Sequence, residues 1–160
     1  LGQQPFQSEF MKKTILLHCL ALFSLLSVAQ EQPKRGVNTV MIENQQTKEE
    51  NFVSVGSSFV DLGFSIGKKD REFGLITSDT FITKGDDGFK YEQVIEATIK
   101  DNFVILRSKY RPVSSIRTFG WEKENEPFKE VVYNKRSFGI AVFSNMTKVA
   151  NKLKGTISYQ

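Results

Sequence analysis

Cysteine and histidine are nearly absent, with one of each in 160 residues. A disulfide needs two cysteines and a structural zinc site needs several Cys and His ligands, so neither can form within the chain. Both residues, His18 and Cys19, also fall in the apolar opening segment, so the part expected to fold has no Cys–His dyad. Gly-x-Ser-x-Gly, Walker and dinucleotide-glycine patterns are missing, which leaves serine-hydrolase and nucleotide chemistry without their usual parts. No internal repeat or low-complexity segment is present. Hydrophobic residues at 39%, charged residues at 25% and aromatic residues at 12% exclude wholesale disorder and a collagen-like chain. There is a single long apolar run, which excludes a multi-span membrane protein.

That run is the strongest functional signal. Met11-Lys12-Lys13 precedes Ile15 to Val28, a stretch without Asp, Glu, Lys or Arg, and Ser27 and Ala29 then sit two apart before polar Gln30-Glu31-Gln32. A basic start, an apolar middle and small residues at −3 and −1 of a cut after Ala29 resemble a Sec-type signal peptide. The lysines stay on the cytoplasmic side while the apolar stretch partitions into the bilayer. The run is short of the ~20 residues that a spanning helix needs, so cleavage is expected rather than a stable transmembrane anchor. Lipidation at Cys19 is the weaker alternative, because His18 occupies the place of the small residue expected before a lipidated Cys. Residues 1–10 precede Met11 and read as an upstream translated stretch or a cloning remnant. The expected organisation is then a signal peptide over 11–29, a flexible tail over 30–36 and a single α+β domain over 37–160, in the periplasm or outside the cell. Cleavage would leave a basic chain without His or Cys, held together by its core alone.

Periodicity assigns the elements of that domain. Val37–Ile42 is a short strand candidate. Thr47 and Glu50 match a capping box, in which each end supplies a partner for a free backbone N–H at the other. The spacing predicts a helix over 48–62, with Phe52, Val53, Val55, Phe59, Val60 and Leu62 on one half and Ser54, Ser57, Ser58 and Asp61 on the other. Gly56 inside the apolar arc suggests close approach to a sheet, and Gly63 suits the left-handed C′ position. Phe64-Ser65-Ile66 and Phe73–Thr77 read as a hairpin joined by charged Lys68–Glu72, with Thr80–Thr83 continuing the second strand past a bulge. Gly85-Asp86-Asp87-Gly88 is a turn. Tyr91–Lys100 and Phe103–Tyr110 form a second hairpin around Asp101-Asn102, since Ile95, Ala97 and Ile99 alternate with Glu96, Thr98 and Lys100. Arg111–Pro127 reads as a long loop, Phe128–Tyr133 as a strand, Lys135–Lys154 as a second helix ended by Gly155, and Thr156–Tyr159 as a returning strand. Tight turns imply antiparallel pairing, and two helices with one apolar stripe each must bury them. The expected fold is α+β, with two helices packed on one face of an antiparallel sheet of about five to six strands.

Leu62-Gly63-Phe64-Ser65-Ile66, Asp70 and Gly74-Leu75-Ile76-Thr77 resemble a pattern of small Sec-exported bacterial envelope proteins, in which a helix ends in Gly and the chain enters a Gly-apolar-Ile-Thr strand. This is similar to the helix-grip domains of outer-membrane assembly lipoproteins. The resemblance runs from the first helix to Thr77, implies an α+β domain at the cell envelope, and brings no functional residues with it. The lipidated Cys of those proteins has no counterpart here.

Candidate chemistry is sparse. Asp86 and Asp87 lack the rest of a calcium loop, and no metal or cofactor is expected. Asp70 and Asp79 flank Leu75–Thr77 and, with Asp86 and Glu96, are the carboxylates on which a hydrolase would depend. From Val131 to Gln160 there are five basic residues, Lys135, Arg136, Lys148, Lys152 and Lys154, and no acidic one. Lys148 and Lys152, one helical turn apart, together with Arg136 suit an anionic surface. Trp121, with Phe119 nearby, is a candidate recognition aromatic. Asn145-Met146-Thr147 matches a glycosylation acceptor, which in a chain with a bacterial-type leader reads as coincidence. Nucleic acid is a poor partner for an exported chain of small net charge.

The leading expectation, from the leader and the lack of catalytic constellations, is a non-catalytic exported domain that binds a protein or envelope component, with Lys148, Lys152, Arg136 and Trp121 as candidate binding residues. A carboxylate-based hydrolase and an anionic-lipid or polyanion binder are the alternatives. Export fixes the N-terminus: intact mass and N-terminal sequencing of the chain from its producing cell should begin at Gln30, and Ala29→Arg should leave an uncleaved precursor. Recovery of a chain beginning at Met11 from the cytosol would defeat the export reading.

Overall fold

The computed structural model describes residues 32–85, 88–113, 127–134 and 137–160. Among these the elements run β1 (Val40–Glu43), α1 (Lys48–Asp61), β2 (Ile66–Asp70), β3 (Leu75–Ser78), β4 (Phe81–Lys84), β5 (Lys90–Lys100), β6 (Phe103–Pro112), β7 (Lys129–Glu130), α2 (Ser137–Lys152) and β8 (Thr156–Tyr159). The architecture is α+β, with two helices and one antiparallel sheet of eight strands rather than five to six.

The β5–β6 hairpin is the spine of that sheet. Asp101-Asn102 closes it as expected, and Asn102 takes φ 67°, which Asn tolerates better than most residues. The register runs from Lys100↔Phe103 to Tyr91↔Pro112. β3 and β4 pair successively along the outer side of β5, and β1 and β7 along the outer side of β6. β2 extends the sheet beyond β3 and β8 extends it beyond β1. The extra strands arise because both flanks of the long hairpin are lined by broken segments, each counted separately.

Three expectations are corrected. Lys68–Glu72 is not a connection: Ile66–Asp70 is β2 itself, and the turn lies at Arg71–Gly74. An edge strand with both sides near water needs no apolar alternation, so its lysines hid it. The strand expected over Phe128–Tyr133 shrinks to Lys129–Glu130, because Tyr133 N–H donates to Val37 O (2.6 Å) and draws the chain away from β6. The first strand starts at Val40, three residues late, since Asn38 and Thr39 both donate to Gln160 O. The expected loop over Arg111–Pro127 begins after Pro112, and residues 114–126 lie outside the described residues, as do Lys135 and Arg136 of the predicted second helix.

Residues of alternate phase bury one sheet face under the helices. Val40, Ile42, Ile76, Ile95, Ala97, Ile99, Val104 and Leu106 are fully buried with Val55 and Phe59 of α1 and Val142, Met146 and Val149 of α2. The opposite face carries paired charges: Lys109 Nζ lies 2.9 Å from Glu96 Oε1, and Arg111 pairs with Glu92 and stacks 4.6 Å over the Phe128 ring.

α1 begins and ends as its sequence predicts. Thr47 N–H donates to Glu50 Oε2 (2.8 Å) and Glu50 N–H to Thr47 Oγ1 (3.3 Å). The hydrogen bonds from the Thr47 backbone and then its hydroxyl hold the Glu50 carboxyl below the usual glutamate range. At the other end Phe64 N–H donates to Phe59 O and Gly63 N–H to Val60 O, the paired bonds of a Schellman motif, with Gly63 at φ 78°. The Phe59 and Phe64 rings meet edge to face at 6.2 Å and supply its apolar contact. The helix is rotated from the expected arc, however. Ser58 is buried, its hydroxyl donating to Ser54 O (2.8 Å), while Val53 and Val60 are exposed. The apolar arc of α1 is wider than the strip that touches the sheet.

Two glycines test this packing in opposite directions. At Gly74, φ is 64° and a Cβ would stand 2.3 Å from Ile99 O, so Gly74→Ala should cost about 2–4 kcal/mol. At Gly56 a Cβ would rest 3.9 Å from Ile76 Cδ1, an ordinary contact, so Gly56→Ala should be neutral or stabilise by up to ~1 kcal/mol. Urea denaturation midpoints measure both, and equal midpoints would refute the assigned geometry.

Candidate functional site

At Gln93 the inward phase of β5 turns polar. Its side chain is fully buried, and every hydrogen-bonding position of its amide is used. Nε2 donates to Ser108 Oγ of β6 (2.9 Å) and Val142 O of α2 (2.8 Å). Oε1 accepts from Thr83 Oγ1 of β4 (2.6 Å) and Asn145 Nδ2 of α2 (2.8 Å). Asn145 Nδ2 also donates to Thr83 Oγ1 (3.0 Å), and the Ser108 hydroxyl donates to Val94 O (2.8 Å). Asn145 Oδ1 accepts from Lys148 Nζ (3.2 Å), so the chain of hydrogen bonds ends at a surface cation. Four elements are thereby locked in one register.

Where the network reaches the surface, an open groove of about 440 Å³ lies between β4 and α2. Phe81, Ile82 and Lys84 contribute from β4, and Ile140, Ser144 and Lys148 from α2. Phe81 is steadied by Phe64, whose ring lies 4.6 Å away. Ile82 and Ile140 stay 56% and 42% exposed, large apolar side chains facing solvent on either side of the groove. Among the described residues its lining carries two lysines and no carboxylate.

A larger groove of about 730 Å³ runs beside α1 over β2 and β3, between Val53 and Val60 on one side and Lys69 and Arg71 on the other. Asp61 shares that lining, and Arg71 is engaged by Glu49 at 3.2 Å. Its charges are of both signs and no buried polar framework backs it. The smaller groove is the better-built site.

Of the residues singled out by sequence, Lys148 lines this groove, and Lys152 is exposed one turn further along α2. Arg136 and Trp121 lie outside the described residues, as do Asp86 and Asp87. Asp70 and Asp79 are not brought together. They stand at opposite ends of the β2–β3 pair, about 13 Å apart from the rise of a four-residue strand. A pair of glycosidase carboxylates stands at roughly 5–9.5 Å. Asp70 Oδ1 instead accepts Phe73 N–H (3.1 Å) in the turn, and Glu96 is paired with Lys109. Among the described residues no cluster of three or more His, Cys, Asp or Glu is placed to hold a metal. The Asn145 sequon is sterically spent, since Asn145 is buried and both hydrogens of its amide are donated. No described helix is long and apolar enough to cross a membrane.

The sequence pattern does not single out Thr83, Gln93 or Ser108, and it marks Asn145 only as a sequon. The signal for Gln93 and Tyr91 was present, because both extend the Ile95–Ala97–Ile99 phase toward the start of β5.

No family model and no curated protein sequence matches the chain. Among solved structures, a TBP-like protein from Parabacteroides distasonis ATCC 8503 superposes with a TM-score of 0.42 at 12% identity, over 79% of this chain and 99% of that one.

Gln93 can be tested by a near-isosteric change. Gln93→Met keeps the volume but strips partners from Thr83, Asn145 and Ser108, and should cost about 2–4 kcal/mol in urea unfolding. A cost within ~0.5 kcal/mol of zero would show that the network is dispensable.

Proposed function

We propose that the chain is an exported, non-catalytic domain that binds a protein or cell-envelope component in the groove between β4 and α2. One observation carries this reading. The groove combines exposed apolar walls with two lysines, and one wall is held by a fully hydrogen-bonded buried network. Such a wall meets a partner without first having to be ordered, which lowers the entropic cost of association. The expected leader, from Met11 to Ala29, supports an envelope setting, and so does the resemblance of Leu62–Ile66 and Gly74–Thr77 to small envelope domains.

Attraction to an anionic surface is the second reading, favoured by the exposure of Lys148 and Lys152 on one side of α2. The two readings differ in what they ask of the groove's apolar walls. Electrostatic attraction fades with salt and ignores Ile140, whereas a groove partner needs it.

Co-sedimentation with envelope fractions of the producing cell separates them. Ile140→Asp should reduce retention about tenfold at 0.15 M salt, and Lys68→Glu on the distant β2 edge should leave it unchanged. Equal retention of all three proteins would remove the groove from the proposal. A loss produced by salt alone, with Ile140→Asp silent, would favour the surface reading.

A further inference from the structure

Resting on the groove as the binding site, we infer that its occupant is an extended peptide segment that pairs with the free edge of β4 as an additional strand, and that this segment carries acidic and apolar side chains on both of its faces. The first argument is geometric. Successive strand residues point to opposite faces. Phe81 and Thr83 are opposite Gln93 and Tyr91 and share the helix-side face, whereas Ile82 and Lys84 are opposite Glu92 and Lys90 and share the other. All four line the groove. A ligand lying over one face of the sheet would meet only one of these pairs. An occupant that meets both lies in the plane of the sheet, alongside β4.

Among the described residues β4 pairs with β5 alone. Three other strands end the sheet among the described residues, and they differ from β4: β7 is only Lys129–Glu130, too short to template a partner. β2 breaks its register between Ile66 and Lys68 and presents Lys68, Lys69 and Asp70, the charged and bulged form that discourages edge pairing. The hollow beside β8 is lined by polar groups of both signs, Glu43, Glu50 and Lys154 among them. Among the described residues, β4 alone combines an unbroken register with an apolar groove of one charge sign.

The second argument is electrostatic and fixes the kind of peptide. On the helix side an added strand meets Ile140 and Lys148, and on the other side Ile82 and Lys84. The helix side also offers Phe81, so each face presents apolar contact and one lysine, and among the described residues no carboxylate lines the groove. Because side chains alternate, the complementary segment places two apolar and two acidic residues within four consecutive positions. Main-chain hydrogen bonds supply affinity in this mode and the side chains supply selectivity.

The test uses synthetic hexapeptides, capped at both ends, with Val-Val-Glu-Glu and Val-Glu-Glu-Val cores, titrated into the exported chain and followed by fluorescence anisotropy and amide hydrogen exchange. At least one acidic core should bind and slow exchange of backbone amides within Phe81–Lys84. Replacing its Glu residues by Lys, or N-methylating alternate amides in the phase that faces β4, should weaken binding at least about tenfold. Lys84→Glu and Lys148→Glu should each weaken it; Lys84 lies outside the hydrogen-bond network, so its effect is read without disturbing the core. Binding that survives N-methylation in both phases, or that leaves the β4 amides unprotected, overturns the strand-pairing inference. So does binding to phosphatidylglycerol vesicles in place of either peptide. If the peptides fail while envelope co-sedimentation still depends on Ile140, this inference falls and the groove reading stands; if that dependence is lost as well, both fall.

Discussion

Asn102 holds a left-handed backbone between the two longest strands, and the rest of the sheet is laid out from that turn. Its neighbour Asp101 accepts the Lys48 N–H at 2.7 Å, so the hairpin tip also caps the first turn of α1. Asn102 donates to Gln46 O and accepts from Asn44 N–H, and Asn51 of α1 donates to Lys100 O. One turn thus sets the β5–β6 register, anchors the loop before α1 and fixes where that helix crosses the sheet. A slip by one residue would move Ile95, Ala97 and Ile99 to the charged face and expose the whole buried set, which is why a half-buried hairpin specifies its register so strongly.

The core that results is divided along the hairpin. Near the Asp101-Asn102 turn it is apolar, with Ile95, Ile99, Val104 and Leu106 under the helices. At the far end it is polar, with Gln93 at the centre of bonds from β4, β6 and α2. A buried amide without partners costs about 1–3 kcal/mol, so such a centre is tolerated only when fully satisfied, and then only one arrangement of its elements satisfies it. The apolar half contributes burial and the polar half contributes uniqueness. With no Cys among the described residues, this is how the short strand β4 and the middle of α2 are held together without covalent help.

What was legible in the sequence follows the same division. Elements defined by a strong period or by capping chemistry are readable: the Ile95–Ile99 alternation, the Thr47–Glu50 box and Gly63 after α1. What could not be read depends on position in the sheet. Lys68 and Lys69 form a strand because an edge meets water on both sides, and residue type carries no trace of that. The rotation of α1 that buries Ser58 and exposes Val60 is set by the width of the contact with β3 and β5, not by the helix's own pattern. The polar network was visible only as a phase: Gln93 lies in register with buried isoleucines, but which groups would satisfy it depends on Thr83 and Asn145, ten and fifty-two residues away.

The location of the groove follows from these constraints. Sheet edges expose unpaired peptide groups, and a stable protein covers, charges or shortens them. Here β2 is charged and bulged, whereas β4 is short but otherwise open, flanked by Ile82 and Ile140. Four residues offer too few hydrogen bonds to pair strongly by themselves, so shortness guards against indiscriminate association. Added apolar contacts and two like charges raise affinity only for a segment that answers all of them together, since a basic segment meets repulsion and a purely apolar one leaves both lysines without new partners. The buried network makes this selectivity physically feasible: it fixes the spacing between Lys148 and the β4 backbone, and an edge whose flanking helix could slide would have no defined spacing to recognise.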